Sequence, residues 1–574
     1  MSPSRRVVIV GGGMAGTRLA QQLAARGAGA GAATSVGAAT SAGAAAGSGA
    51  ATSAGAAAGS GAAAAGPGAV GAGAGAGTSA DTDRVTVEVT IIGEEPHPAY
   101  NRVLLAEVLA GRYAPEVIAL PAPAAGVRRL SGVRVVRIDR PTAEVVCDDG
   151  RRVPYDALVL ATGSNPVLPP LRGLFEPDGH ELPDGVHAFR TMDDCLALGA
   201  AVRPGARAVV IGGGLLGVSA ARALAQRGAQ VVLAHQGEHL MERQLDPGAS
   251  GLLLRHMAAL GVEVHTECRV RGLCTRTVDG EGGGGRAVSA VELADGYALE
   301  ADLVVLACGV RPRVGLARAA GLEVARGVVI DDELRTSDPR VFAIGDCAEH
   351  AGIVYGLAGA AQEQADVLAH RLSPTPPLPE PMVLRPLDPQ EGPAPEPAPE
   401  DRFVGNRSAE WAPPSGSWGR NGWAQTGHRA APGDETPTRH TDAVPADHPA
   451  CAQTDHRAAP GDETVPQYHG TRTLTRLTLT AVPGSAGGSA SGTDGPLDLA
   501  AFGNPTPAPG DDVIHLTDAT RNTYRKVVVR GDRLLGGILL GDLGTVGALA
   551  RTWESNEPLP ATPLLHLLTN DGGS

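Results

Sequence analysis

The sequence contains one lysine, Lys526, and only seven tyrosines, five phenylalanines and four tryptophans among 574 residues. The 43% hydrophobic fraction is therefore inflated by alanine, which buries little area per residue. Cysteine is equally sparse. The seven thiols contain no C-x-x-C pair, and the nearest two are Cys268 and Cys274. That excludes sequence-local zinc ribbons and ferredoxin-type clusters, so no metal site is expected. An odd, sparse count fits a reducing cytoplasm, the expected location. Positive charge is scarce too. The net charge is −14 and the arginines are scattered, which argues against a nucleic-acid surface. Long apolar runs are missing. Residues 28–80 carry no charge, yet Val36 and Val70 are their only larger aliphatics, too little apolar area for a membrane span. Arg5-Arg6 before VVIVGGG reads as a first β-strand entering a glycine turn. It does not read as a secretory start, because no cleavage-like site follows a long apolar core.

What the sequence has in excess is glycine, 79 residues, and proline, 45. Much of both lies in low-complexity tracts. Residues 28–82 include ATSAGAAAGSGA at 39–50, repeated at 51–62. A twelve-residue period without large apolar side chains has no face to stack, so the tract reads as a flexible surface loop. Residues 373–467 are proline-rich and duplicate AQTGHRAAPGDET (424–436) as AQTDHRAAPGDET (452–464). Proline at that density blocks helix and sheet. Trp411, Trp418 and Trp423 fall in this second tract. Drift in an inserted tract is the favoured reading, a short partner-binding motif the alternative.

The remainder alternates aliphatic runs with helical patterns. The runs are VVIV (7–10), VEVTIIG (87–93), ALVLATG (157–163), AVVIGGG (208–214), QVVLAH (230–235), VEVHTE (262–267), DLVVLACG (302–309) and VFAIGDC (341–347). Continuous β-branched strands between amphipathic helices predict parallel sheets covered on both faces. The C-terminal runs TRLTLTAV (475–482) and YRKVVVRGDRLLGGILLGD (524–542) predict an antiparallel meander followed by a helix.

Gly11-x-Gly13-x-x-Gly16 follows the first strand and opens a helical pattern. In that context the first glycine makes a tight turn, the second lets backbone approach a pyrophosphate, and the third lets helix and strand come close. The helix N-terminus offers N–H groups and a positive dipole end to phosphates. The acid that should close the next strand on a ribose is Glu94 or Glu95, displaced from its usual spacing if the Ala/Gly tract lies between. A second motif, Gly212-x-Gly214-x-x-Gly217, repeats the context. Its following strand ends on His235, which could tolerate or favour a 2′-phosphate when protonated, with Arg243 a nearby cation. Gly345-Asp346 ends a late strand, where a carboxylate could accept from a ribityl hydroxyl of FAD. By itself Asp346 would read as a helix N-cap. With Ala161-Thr162-Gly163 the features together point to two dinucleotide sites.

On these residues the chain resembles the two-dinucleotide-binding flavoprotein superfamily that includes glutathione reductase and the ferredoxin and rubredoxin reductases. GEEPHPAYNRVLLAEVLAG (93–111), LMERQLDP (240–247) and the 524–542 segment make it similar to the flavin part of the assimilatory NAD(P)H nitrite reductase large subunit, and to the electron-transfer subunit of assimilatory nitrate reductase. The resemblance implies an α/β fold with two Rossmann-like dinucleotide-binding domains, for FAD and NAD(P), plus a small α+β C-terminal domain and long disordered insertions. FAD-binding segments would be 1–27, 83–195 and 308–372, the NAD(P)-binding domain 196–307, and the C-terminal domain 468–574 with a flexible loop at 483–498. That last domain would pack on the FAD domain and offer a face for a homodimer, as in related reductases.

The resemblance further implies that Gly11, Gly13, Gly16, Glu94, Arg102, Thr162, Gly163 and Asp346 hold FAD. Gly212, Gly214, Gly217 and His235 would hold NADH or NADPH, with Gly309 near the meeting of the cofactors. Relatives that reduce ferredoxins or rubredoxins often place a Lys and a Glu beside the flavin. Glu107 and Ser219 occupy the matching positions, which would make that environment more negative. The redox cysteines of disulfide reductases and thiol oxidases are missing from 94–146. The chain also lacks the cysteines of a siroheme or [2Fe–2S] centre. The implied activity is NAD(P)H oxidation through FAD by hydride transfer, with electrons leaving to a nitrate or nitrite reductase catalytic subunit. The alternatives are a ferredoxin or rubredoxin reductase serving an oxygenase, and a non-catalytic flavin-binding sensor.

Overall fold

The computed structural model describes residues 4–29, 86–123, 126–177, 179–278, 285–373, 466–472, 474–479, 496–518, 520–559 and 568. The duplicated Pro-rich segments and their three tryptophans lie outside these residues. So does most of the Ala/Gly tract, whose flanks are helix Met14–Gly29 and strand Thr86–Gly93.

The first strand, Ser4–Val10, buries Val7, Val8 and Ile9 almost completely. It sits at the centre of a five-stranded parallel sheet in the order Val341–Ala343, Ala157–Leu160, Ser4–Val10, Thr86–Gly93, Val127–Ser131. Burying each such aliphatic side chain contributes about 1.5–3 kcal/mol. The register pairs Val7 with Val89 and with Ala157, so three apolar runs align and close on the same core. Helix Met14–Gly29 packs beside Ala358–Leu372, where Arg18 and Asp366 pair at 2.8 Å. A second parallel sheet repeats the plan in the order Val262–His265, Gln230–Ala234, Arg207–Ile211, Leu303–Leu306, Val186–Ala188. The aliphatic runs predict four strands of each sheet; the edge strands Val127–Ser131 and Val186–Ala188 are not among them.

Two three-stranded antiparallel sheets, built on Val135–Asp139 and Val270–Val278, accompany the parallel ones. Their short strands alternate buried and charged or exposed positions and carry no continuous apolar run like those of the parallel sheets. A short antiparallel pair, Ser164–Pro166 with Val310–Pro312, carries the chain between the two nucleotide-type domains.

The C-terminal sheet is antiparallel, in the order Leu474–Leu479, Leu497–Gly503, Arg533–Leu540, Thr523–Arg530, Asp512–Asp518, followed by helix Val546–Ser555. The Leu497 strand begins inside the 483–498 segment expected to be loop, because Leu497 is 3% exposed and pairs with Leu479. Alternation along this strand divides its side chains. Leu497, Leu499 and Ala501 join a core with Leu105, Leu109, Val218 and Leu252, whereas Ala500 and Phe502 pack toward Leu549. The expectation of packing on the first domain is thus amended: this face also shares its core with the second domain. Tyr524 and Lys526 reinforce that contact, reaching Asp246 Oδ2 at 2.6 and 2.7 Å.

Candidate functional site

The first glycine turn sits between strand Ser4–Val10 and helix Met14–Gly29. Gly11 has φ +125°, and a Cβ there would overlap the Ala161 carbonyl oxygen. A Cβ on Gly16 would overlap Gly11 O. Both positions are therefore set by packing. Gly13 differs: a Cβ there would meet nothing within 4 Å. The second turn reproduces this arrangement. Gly212 has φ +118° against Ala307 O, Gly217 lies against Gly212 O, and Gly214 faces open space. Gly214 caps helix Leu215–Gln226 without a side-chain hydrogen bond, and neither helix has an acid in its first turn. Open space, uncapped amides and no competing carboxylate suit a bound phosphate.

Glu94 follows the second strand directly, as a ribose-binding acid should, but it already pairs with Arg313 and, at 3.4 Å, with Arg134. Glu95 accepts from Arg102 Nη2 at 2.8 Å and from Tyr100 Oη at 2.7 Å. Burial pushes its carboxyl up, and Arg102 with these hydrogen bonds brings it below the ordinary range. Arg102 also donates to Arg190 O at 2.8 Å. Its guanidinium is thus held internally at 25% exposure and is not extended toward solvent.

Asp346 marks a second cluster. Its Oδ2 accepts from Arg190 Nη2 at 2.5 Å and from Ser164 Oγ at 2.9 Å. Gln364 Oε1 accepts the Gly345 N–H at 2.7 Å and fixes the turn that presents Asp346. Thr162 Oγ1 donates to Arg313 O at 2.9 Å, and Arg313 N–H donates to Gly163 O. Gly163 and Gly309, at φ +72° and +98°, flank the two-stranded crossover. The structure thus gathers Thr162, Gly163, Asp346 and, through Arg190, Arg102. Arg190 was missed in the sequence. Its signal, Arg before the capping box Thr191/Asp194, looks like an ordinary helix start.

Glu107 and Ser219 do not touch each other in any hydrogen bond found among the described residues. Ser219 Oγ donates back to Leu215 O at 2.8 Å. Glu107 pairs with Arg222, whose side chain is 1% exposed, and with Arg112 at 3.4 Å. The more negative environment expected from Glu107 is therefore offset by a buried cation one helical turn beyond Ser219. His235 also departs from expectation. It accepts the Gly213 N–H on Nδ1 at 3.1 Å, and burial pulls its pKa down. Its Nδ1 edge faces the glycine turn as an acceptor.

Cys195 and Cys308 are pushed up to about 11 by burial, and Cys347 is buried with its thiol on Leu160 O and Ile344 O. None of the described cysteines is in a disulfide. No group of three His, Cys, Asp or Glu side chains among the described residues could hold a metal ion. No helix among them is long and apolar enough to cross a membrane.

Residues 67–365, just over half of the chain, match the pyridine nucleotide-disulphide oxidoreductase family, and residues 496–556 match the rubredoxin NAD+ reductase C-terminal domain. The chain belongs to the pyridine nucleotide-disulphide oxidoreductase family. It is 36% identical over 298 residues to the assimilatory nitrate reductase electron transfer subunit of Bacillus subtilis (strain 168), covering 51% of this chain and 37% of that protein. It is 38% identical over 289 residues to the nitrite reductase [NAD(P)H] of the same organism, covering 50% and 34%. The chain thus spans about a third of the length of these relatives. The covalent putidaredoxin reductase–putidaredoxin complex has the same fold, with a TM-score of 0.61 at 19% identity over 98% of each chain. So does NADH:rubredoxin oxidoreductase from Clostridium acetobutylicum, with a TM-score of 0.55 at 15% identity over 99% of this chain and 100% of that one.

Proposed function

We propose that this chain takes electrons from NADH or NADPH through FAD and delivers them to a redox protein in nitrate or nitrite assimilation. The observation that supports the reading is the doubled glycine cradle, each copy with one glycine free of packing constraint, joined by the Ser164–Pro166/Val310–Pro312 crossover. FAD, where bound, would supply an acceptor for a hydride and a donor of single electrons. The chain's own residues bind and orient. Gly11, Gly13 and Gly16 would admit the FAD pyrophosphate, Glu94 would share its carboxylate with a ribose, and Asp346 with Arg190 would hold the ribityl end. Gly212, Gly214 and Gly217 would receive the nicotinamide dinucleotide, and Gly309 would let backbone lie close to both ligands. No side chain need move a proton for this chemistry; proximity and orientation carry it.

The choice of nitrate or nitrite assimilation rests on the similarity to the two Bacillus proteins. A second reading, a ferredoxin or rubredoxin reductase, is favoured by the match of residues 496–556. The FAD-loaded protein, reduced anaerobically and mixed with the catalytic part of a nitrate or nitrite reductase, should reoxidise faster than with a ferredoxin or rubredoxin. The reverse order would favour the second reading. A flavin that neither nicotinamide reduces would leave only a binding or sensing role.

A further inference from the structure

The strand Gln230–Ala234 delivers the chain to the place where a dinucleotide site meets the adenosine ribose: the loop beyond the second strand. Here that loop is tied down. His235 N–H donates to His265 O and Cys268 N–H to His235 O, both at 2.8 Å. Met241 N–H donates to Gly213 O at 2.9 Å, which folds residues 236–241 back over the glycine turn. A site that accepts NADPH needs N–H groups or a cation to receive a doubly charged 2′-phosphate. Two of the loop N–H groups already face a carboxylate. Glu242 Oε1 accepts from Glu238 N–H at 2.8 Å and lies 3.5 Å from His239 N. Gly237 leaves room for this, since a Cβ there would overlap the Glu242 carboxylate.

We propose that Glu242 acts as a built-in anion in the ribose loop and makes the second site select NADH over NADPH. The inference rests on the proposed role of Gly212, Gly214 and Gly217 as the nicotinamide dinucleotide site. A 2′-phosphate would have to displace the Glu242 carboxylate from the loop amides or lie beside it. The surrounding charge adds to the effect. Glu238 is exposed on the same loop, and Glu267 donates its N–H to Gly237 O at 2.8 Å. His235 packs against Gly213 with Nδ1 accepting the Gly213 N–H; burial pulls its pKa down, and Glu242 opposes that shift. Arg243 and Glu242 are both exposed, and of the two only Glu242 bonds the loop amides among the described residues. A 2′-hydroxyl carries no charge and meets none of this repulsion.

The test is equilibrium binding of NAD+ and NADP+ to the FAD-loaded full chain by calorimetry, with anaerobic flavin bleaching by NADH and NADPH in parallel. The wild-type protein should bind NAD+ more tightly than NADP+ by about fivefold or more, as expected for a like-charge contact with an exposed carboxylate. Glu242→Gln keeps an oxygen for the loop amides and removes the charge, so it should narrow that ratio severalfold. NADP+ binding as tight as NAD+ in the wild type would overturn the proposal, as would an unchanged ratio in Glu242→Gln. NADP+ affinity lost on Arg243→Ala would also overturn it, by placing the 2′-phosphate on the arginine. Selective NAD+ binding without bleaching by either reduced nucleotide would uphold the selectivity and sink the reductase reading. Binding of neither nucleotide would sink both.

Discussion

Arg190 Nη2 donates to Asp346 Oδ2 at 2.5 Å, joining a helix-start residue to a turn 156 positions later in the chain. Each side chain is 19% exposed, so the pair is only partly screened by water. Burial lowers the Arg190 pKa from its ordinary value and Asp346 opposes that shift. Removing the cation strands a partly buried carboxylate at the proposed ribityl site. Arg190→Ala should cost about 1–3 kcal/mol of stability and lower FAD retention. Urea unfolding and the flavin-to-protein absorbance ratio check this; unchanged values for both would remove Arg190 from the site.

The two kinds of glycine separate fold from ligand. Gly217→Ala would drive a methyl into Gly212 O, whereas Gly214→Ala would meet open space. Gly217→Ala should destabilise the protein by about 1–3 kcal/mol through overpacking. Gly214→Ala should leave the melting temperature near the wild-type value and weaken NAD(P)+ binding. Equal melting losses in both variants would contradict the assignment of Gly214 to a ligand.

The Glu107–Arg222 pair gives a stability prediction. Arg222 is buried, and burial pulls its pKa down while Glu107 opposes the shift. Glu107→Ala leaves that guanidinium without its carboxylate and should cost about 3–5 kcal/mol. Glu107→Leu with Arg222→Leu should recover much of the loss, since a well-packed apolar pair is often as stable as a buried ion pair. A double variant no more stable than Glu107→Ala would contradict this account.

Acid should weaken the fold through its buried imidazoles. His256 is 3% exposed, and burial with the nearby Arg222 holds its pKa below the ordinary 6.5. Below pH 6.5 the unfolded chain gains a proton that folded His256 resists, so stability falls as pH falls through that range. Above pH 6.5 the contribution is fully present. His256→Gln should flatten the decline in melting temperature on acidification; an unchanged slope would show that other groups govern it.

Thiols provide a control on the chemistry. Cys195 and Cys308, both pushed up to about 11, should resist alkylation at pH 8, whereas exposed Cys274 should react first among the described cysteines. Mass-mapped labelling checks the order. Rapid labelling of Cys308, beside Gly309, would reopen a thiol role.

Four strands of each parallel sheet and both glycine turns were legible in the sequence, because central parallel strands are continuous apolar runs and each turn needs glycine where backbone packs on backbone; the edge strands Val127–Ser131 and Val186–Ala188 carry no such run. The long separation between Gly16 and Glu94 did not obscure the pairing, since the second strand still reads VEVTIIG. Side-chain partners were less accessible. Glu107 is paired 115 positions away with Arg222, and Glu94 is paired 219 positions away with Arg313. Such pairs depend on how sheets and crossover bring distant segments together. His235 illustrates the same limit: its position at the strand end was readable, but its turn toward Gly213 depends on the fold of residues 236–241.

The central claim is that the two cradles hold FAD and a nicotinamide dinucleotide close enough for hydride transfer. Anaerobic titration of the yellow, FAD-loaded protein with NADH tests it most directly. The account predicts loss of the flavin absorbance band with about one equivalent of NADH per bound FAD, the stoichiometry of a two-electron hydride transfer. A protein that remains colourless after FAD reconstitution, or stays yellow under excess NADH and NADPH, would contradict it.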